Sequence, residues 1–143
     1  MSSIRQASEA DVATWVVLRH ALWGGDLDAL TREAMDSLGQ RDHVAFIATA
    51  DDSHAIGFIE GSLRSSGAHV YAFIEGWYVT EAARGSGVGG ALMERLEEWI
   101  LHHQVGHILS DTEPEQYPAS VGAHEACGYK RVSELVVFMK TPG

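Results

Sequence analysis

The chain has 143 residues, 45% of them hydrophobic and 21% charged, with three prolines, which fits one folded domain (residues 1–143) and excludes collagen-like, low-complexity and disordered classes. No apolar run approaches the ~20 residues of a membrane helix, and Met1-Ser2-Ser3-Ile4-Arg5-Gln6 lacks the order of a secretory signal, so a cytoplasmic location is expected. Twenty acids against ten bases leave a net charge of -10, a field that repels nucleic acid and anionic membranes and gathers cations.

Ile4 to Ala7 reads as a first strand. Ser8 is a helix cap with Asp11 three residues on, and Val12, Trp15, Val16, Leu22 and Trp23 recur near helical spacing until Gly24-Gly25. A second amphipathic stretch runs from about Asp28 to Leu38, closed by Gly39. Val44 to Ala50, Ala55 to Arg64 and Val70 to Val79 read as a meander of three strands. The glycine-rich segment Gly85 to Gly90 leads into a helix marked by Val88, Leu92, Leu96, Trp99 and Ile100. A short strand at His107 to Asp111, a helix around Ser120–Ala126 and a last strand at about Glu134 to Lys140 complete the chain. The order β-α-α-β-β-β-α-β-α-β predicts an α/β (α+β) domain with a mixed, mostly antiparallel sheet and helices on both faces. The tetrapeptide Phe-Ile-Glu-Gly occurs at Phe58–Gly61 and again at Phe73–Gly76, on strands expected to pair as a hairpin, so it needs no internal duplication.

Arg84-Gly85-Ser86-Gly87-Val88-Gly89 stands between a strand and a helix. Free N–H groups and the positive dipole end at a helix start bind phosphate, and glycines let the backbone approach it closely. Arg84 adds a forked cation suited to pyrophosphate. A P-loop would need Lys-Ser/Thr after its last glycine, where this chain has Ala91-Leu92, and a dinucleotide fold would not place the turn after a meander. The turn does fit the Arg/Gln-x-x-Gly-x-Gly/Ala pattern, and with the element order and Gly128-Tyr129 the chain resembles the GCN5-related N-acetyltransferases (GNAT). More narrowly it is similar to bacterial aminoglycoside 6'-N-acetyltransferases in five segments. These are Leu18–Trp23, Ser62-Leu63-Arg64, Phe73–Val79, Ser110-Asp111-Thr112 and His124–Tyr129.

The resemblance implies acetyl-CoA as cosubstrate, no metal, a homodimer, and acetyl transfer to the 6'-amine of an aminoglycoside antibiotic, hence a role in resistance. Transfer from a thioester needs an uncharged amine, carboxylates to hold the polycation and a donor for the oxyanion. Glu75 is an acid inside an apolar strand, and simple alternation places it on the same face as Phe73 and Trp77. Its plainer role is a cross-strand pair with Arg64; the resemblance makes it the amine-binding acid and candidate base. Asp111, ending the neighbouring strand, is a second substrate acid or a turn aspartate, and Glu134 is a third acid of the subfamily. Trp23 is either a wall for the sugar rings or core. The subfamily's substrate-stacking tyrosine is missing unless Tyr71 replaces it, and Gln116 stands where the subfamily has an asparagine that contacts the cofactor. Backbone at Trp77, Tyr78 and Val79 is expected to meet the thioester and pantetheine, with the Val79 N–H as oxyanion donor. His124 occupies the position of a tyrosine held to protonate the thiolate, and it is equally a packing or cofactor contact.

With no activated nucleophile in view, direct attack without an acyl-enzyme is expected. The alternatives are a related enzyme acting on a polyamine or a protein N-terminus, and a CoA-binding module without turnover. His102, His103 and His107 lack a nearby acid or cysteine to complete a metal sphere, and Cys127 is read as a small buried residue that forms no internal disulfide.

Overall fold

A computed structural model of the protein describes residues 2–143. It contains two compact units, one ending at Asp111 and one starting at Thr112. In the first, strand β1 (Ser3–Gln6) leads through a 3-10 turn at Glu9–Asp11 into helix α1 (Val12–Trp23). Ser8 and Asp11 form the expected capping box, the Asp11 carboxylate accepting from the Ser8 amide at 2.8 Å. Gly24, at φ +68°, ends α1 by donating to the His20 carbonyl at 2.8 Å. Helix α2 (Leu27–Leu38) starts on Asp26, whose carboxylate accepts from the Ala29 amide.

Strands β2 (His43–Thr49), β3 (Ala55–Ser66) and β4 (His69–Val79) form the meander. Helix α3 (Val88–Leu101) crosses over to β5 (Ile108–Leu109), which is shorter than the expected His107–Asp111. The sheet order is β1-β2-β3-β4-β5, antiparallel except for β4 and β5, which run parallel. A parallel pair joined by a helix is what a strand–helix–strand crossover produces.

One irregularity interrupts the β3–β4 ladder. Gly61 pairs with Ile74 and Glu60 with Gly76, so Glu75 is an extra residue on β4, a β-bulge. Strand alternation assigns the faces on either side of it. Phe58, Glu60, Ser62 and Arg64 of β3 share a face with Tyr71 and Phe73 before the bulge and with Gly76 and Tyr78 after it. Ile59 and Gly61 share the other face with Ala72 and Ile74 before the bulge and with Trp77 and Val79 after it. The expectation that Trp77 lies on the face of Glu75 and Phe73 is therefore corrected, because alternation loses phase at the bulge.

Helices α1 and α2 cover the first face, burying Trp15, Leu30, Ala34, Ala45, Ile47 and Phe58. Helix α3 covers the second with Leu92, Met93, Leu96 and Ile100. Each such side chain contributes roughly 1.5–3 kcal/mol by leaving water. Gly57 and Gly61 admit α3 closely, since a Cβ on Gly61 would stand 2.6 Å from the Leu96 side chain.

The second unit holds helix α4 (Ser120–Ala126), on the predicted residues. Its tail departs from expectation, for no regular secondary structure is present at Glu134 to Lys140. A strand exists through its ladder, and this run has no pairing partner in the described residues. Val132, Leu135, Val136, Val137, Phe138 and Met139 are instead 72–92% exposed.

Candidate active site

Two places in the first unit carry the chemistry. The first is a cavity of about 530 Å³ lined by Trp23, Glu75 and Glu60 of the sheet and α1 side, and by Glu33, Asp36 and His43, with Arg19 in its wall. Four carboxylates thus face one lining guanidinium. Glu75, the extra residue of the bulge, lines the cavity on the face of Phe73, Ser62 and Arg64, where alternation from Phe73 places it. Arg64 grips it, donating from one terminal nitrogen to both carboxylate oxygens at 2.8 Å, and the Ser62 hydroxyl donates to Oε1. The cross-strand pairing with Arg64 is real, and it coexists with a place in the cavity wall. Burial tends to lower the Arg64 pKa, yet the bonds and charge of Glu75, then Tyr71, leave it above its ordinary value. Tyr71 stands opposite Arg64 on the same sheet face.

Trp23 is 38% exposed, so it is neither free surface nor plain core. Its ring packs edge-on against Phe58 at 5.9 Å and lies flush over Gly76, where a Cβ would approach it to 2.5 Å. Glu60 is a pocket acid that the sequence reading did not single out. Its signal was the repeated Phe-Ile-Glu-Gly, since the two copies place Glu60 and Glu75 in one cavity wall.

The second place is the free edge of β4. Ladder pairing with β5 stops at Phe73 with Leu109, and Glu75 and Asp111 each stand two residues beyond it on their own strands. Asp111 is exposed there. The Thr80 amide donates to Ile56 across β3, so by alternation the amides of Trp77 and Val79 point away from β3, toward the unpaired edge. Ala72 also donates toward β5, to His107. Amides seven residues apart share an edge only because the bulge shifts the phase between them.

The glycine turn adjoins this edge in sequence and packing. Gly85 and Gly87 have φ of +81° and +87°, and nothing lies within 4 Å of a Cβ built at either. Gly87 caps α3 without a side-chain bond, and the helical ladder opens with Ala91 donating to Gly87, which leaves the amides of Val88, Gly89 and Gly90 ahead of it. This is a cradle fit for a pyrophosphate. Arg84 spends one donor on the Val79 carbonyl at 2.9 Å and lies over Tyr78, and the Ser86 hydroxyl donates to the Ala83 carbonyl. Trp77 turns from the expected face to donate its indole N–H to the Gly89 carbonyl at 3.1 Å, so it ties β4 to the cradle.

In the second unit, His124 is half-buried with Nδ1 2.7 Å from the Ser120 carbonyl and its ring edge-on to Tyr129. A carbonyl oxygen only accepts, so in that contact the ring donates from Nδ1. Gln116 lies in an exposed turn, and Glu134 is exposed beside Arg131 at 3.4 Å. Among the described residues no three His, Cys, Asp or Glu side chains converge as a metal site, and no helix is long and apolar enough to cross a membrane.

Comparison with known proteins agrees with this architecture. The family model described as Acetyltransferase (GNAT) family matches residues 15–129. An aminoglycoside N(6')-acetyltransferase type 1 of Stenotrophomonas maltophilia is 37% identical over 98% of this chain and 93% of its own length. Another, from Klebsiella aerogenes, is 33% identical over 96% and 95%. The crystal structure of aminoglycoside 6'-N-acetyltransferase AAC(6')-Ih from Acinetobacter baumannii superposes with a TM-score of 0.88, at 27% identity and full coverage of both chains. AAC(6')-Iy in complex with the bisubstrate analogue CoA-S-monomethyl-acetylneamine gives 0.87 at 28%, covering 99% of each. With a bulged strand, a glycine cradle at α3 and a match over most of its length, the chain belongs to the GNAT family of acetyltransferases, enzymes that use acetyl-CoA.

Proposed function

We propose that this protein transfers the acetyl group of acetyl-CoA to the 6'-amine of aminoglycosides, and so confers resistance to them. The observation that carries the reading is the acidic, indole-walled cavity beside the bulge. Even with Arg64 drawn onto Glu75, carboxylates outnumber guanidinium groups there, which suits a polycation and not a peptide N-terminus. The full-length likeness to aminoglycoside N(6')-acetyltransferases supports the same substrate.

In this reading the amides and Arg84 of the glycine turn (Gly85, Ser86, Gly87, Val88, Gly89) hold the pyrophosphate, and the β4 edge receives the pantetheine arm. Glu75 binds the ammonium form of the 6'-amine, and its Oε2, the oxygen with fewer bonds to Arg64 and Ser62, accepts the proton directly or through water. The neutral nitrogen attacks the thioester carbonyl, forming C–N. The Val79 N–H donates to the oxyanion, the nitrogen gives up its second proton to water, and collapse breaks C–S. The thiolate takes a proton, for which the imidazolium form of His124 is the proposed donor. Asp111, Glu134 and Tyr71 are proposed as further contacts to the sugar and Gln116 as a cofactor contact. We further infer one domain over residues 1–143, a cytoplasmic location and a homodimer; the exposed apolar tail from Leu135 to Met139 supports the last.

The test is release of CoA thiol from acetyl-CoA with kanamycin or tobramycin, against paromomycin, which carries a hydroxyl in place of the 6'-amine. Turnover with the first two alone is expected. Turnover with spermidine or a peptide, and with no aminoglycoside, overturns the substrate and keeps the family.

A further inference from the structure

Arg19 is 6% exposed, and four of its five N–H donors are spoken for. Nε and one terminal nitrogen grip the two oxygens of Glu60 at 2.8 and 3.2 Å, while the other donates to the Leu30 carbonyl at 2.9 Å and to Glu33 at 3.2 Å. Glu60, also 6% exposed, accepts the Trp15 indole N–H at 2.9 Å as well. Above this, the guanidinium faces the Trp23 ring at 4.8 Å and the Trp15 ring at 5.9 Å. Burial works against the Arg19 charge, but Glu60 and then Glu33 outweigh it and hold its pKa above the ordinary value.

One side chain therefore joins the sheet through Glu60, α2 through Leu30 and Glu33, and the end of α1 through Trp23. For stability alone such a buried pair is poorly justified, since apolar residues of similar volume are often as good or better. What apolar residues would not supply is a fixed geometry. Trp23 is the last residue of α1, followed by Gly24 and Gly25 at positive φ, and its ring is 38% exposed. The contacts that hold the ring are the shallow seat over Gly76 and Phe58 below and the Arg19 guanidinium beside it.

We propose that Arg19, braced by Glu60, is a positioning residue for the substrate: it sets the distance and tilt of the Trp23 ring and of α2 relative to Glu75, and so the width of the amine cavity. It binds no substrate atom itself. The inference rests on the proposed function, in which Trp23 is the sugar wall.

The experiment uses the full chain labelled with 5-fluorotryptophan, with steady-state kinetics in both substrates. Arg19→Lys keeps the charge and loses the fork, and the pair Arg19→Met with Glu60→Gln removes both charges together while keeping an acceptor for Trp15. In whichever of these folds, the aminoglycoside KM rises about tenfold, with kcat and the acetyl-CoA KM within about twofold, because only sugar placement changes. The fluorine resonance of Trp23, assigned with Trp23→Phe, shifts or broadens, and those of Trp77 and Trp99 stay in place. A lowered melting temperature with both KM values and the Trp23 resonance unchanged overturns the proposal and leaves Arg19 a stability element. An unchanged aminoglycoside KM in Trp23→Ala removes the wall and overturns the proposal with it. If the parent protein acetylates no aminoglycoside, the function fails separately, and the Trp23 resonance alone decides whether Arg19 positions that ring.

Discussion

Glu75 serves two partners, Arg64 in the fold and an amine in the proposed reaction, and the balance between them is open to substitution. Glu75→Gln keeps an acceptor for Ser62 and gives up the charge. Aminoglycoside turnover is expected to fall by about a hundredfold or more, with CoA binding unchanged by calorimetry. Normal turnover would remove Glu75 from the reaction. Glu60 has a different exposure to change: Glu60→Ala leaves the Arg19 charge buried against Leu30 and Glu33, and is expected to lower unfolding free energy by about 3–5 kcal/mol in urea denaturation. Glu75 was legible in the sequence because a lone acid in an apolar strand is conspicuous. Glu60 sits in an equally apolar strand and was passed over, since its partner Arg19 is 41 residues away and no local pattern links them.

At the scale of elements, the position of the glycine turn between β4 and α3 was legible from its residues, and Gly85 and Gly87 take the positive φ that glycine meets freely. Gly87→Ala imposes a side chain at φ +87°, which costs about 1 kcal/mol of stability. It is expected to raise the acetyl-CoA KM about tenfold while the aminoglycoside KM holds, measured at saturating second substrate. Equal effects on both would deny the turn a cofactor role. Helices α1 to α3 were legible through caps, glycines and periodicity, the meander through its β-rich runs and turns, and Gly24 ended α1 where expected. The bulge was not. No residue type marks it, as Ile74-Glu75-Gly76 is identical to Ile59-Glu60-Gly61, which pairs without adding a residue. The shift exists only in the register between β3 and β4, and pairing is a property of two strands at once. The last strand failed for the same reason in reverse: Leu135-Val136-Val137-Phe138-Met139 has the composition of a strand and no neighbour to pair with.

For the whole molecule, a net charge of -10 should draw a polycation over distance as well as hold it in contact. Raising ionic strength from about 0.05 to 0.5 M, which shortens the screening length from roughly 14 to 4 Å, is expected to raise the aminoglycoside KM several-fold. The acetyl-CoA KM should fall or hold, since that ligand is an anion. A salt-independent aminoglycoside KM would confine recognition to neutral contacts. The bulge also has a consequence for how such a chain can diversify. Side chains before and after it alternate in opposite phase, so Phe73 and Gly76 share one face of the sheet, and Ile74 and Trp77 the other. Loss or gain of a single residue between Phe73 and Trp77 would exchange the faces of every later side chain on β4 and turn the Val79 amide toward β3. Drift in length is therefore confined to the hairpin loops and the ends, and β4 behaves as a reading frame in which spelling can vary and spacing cannot.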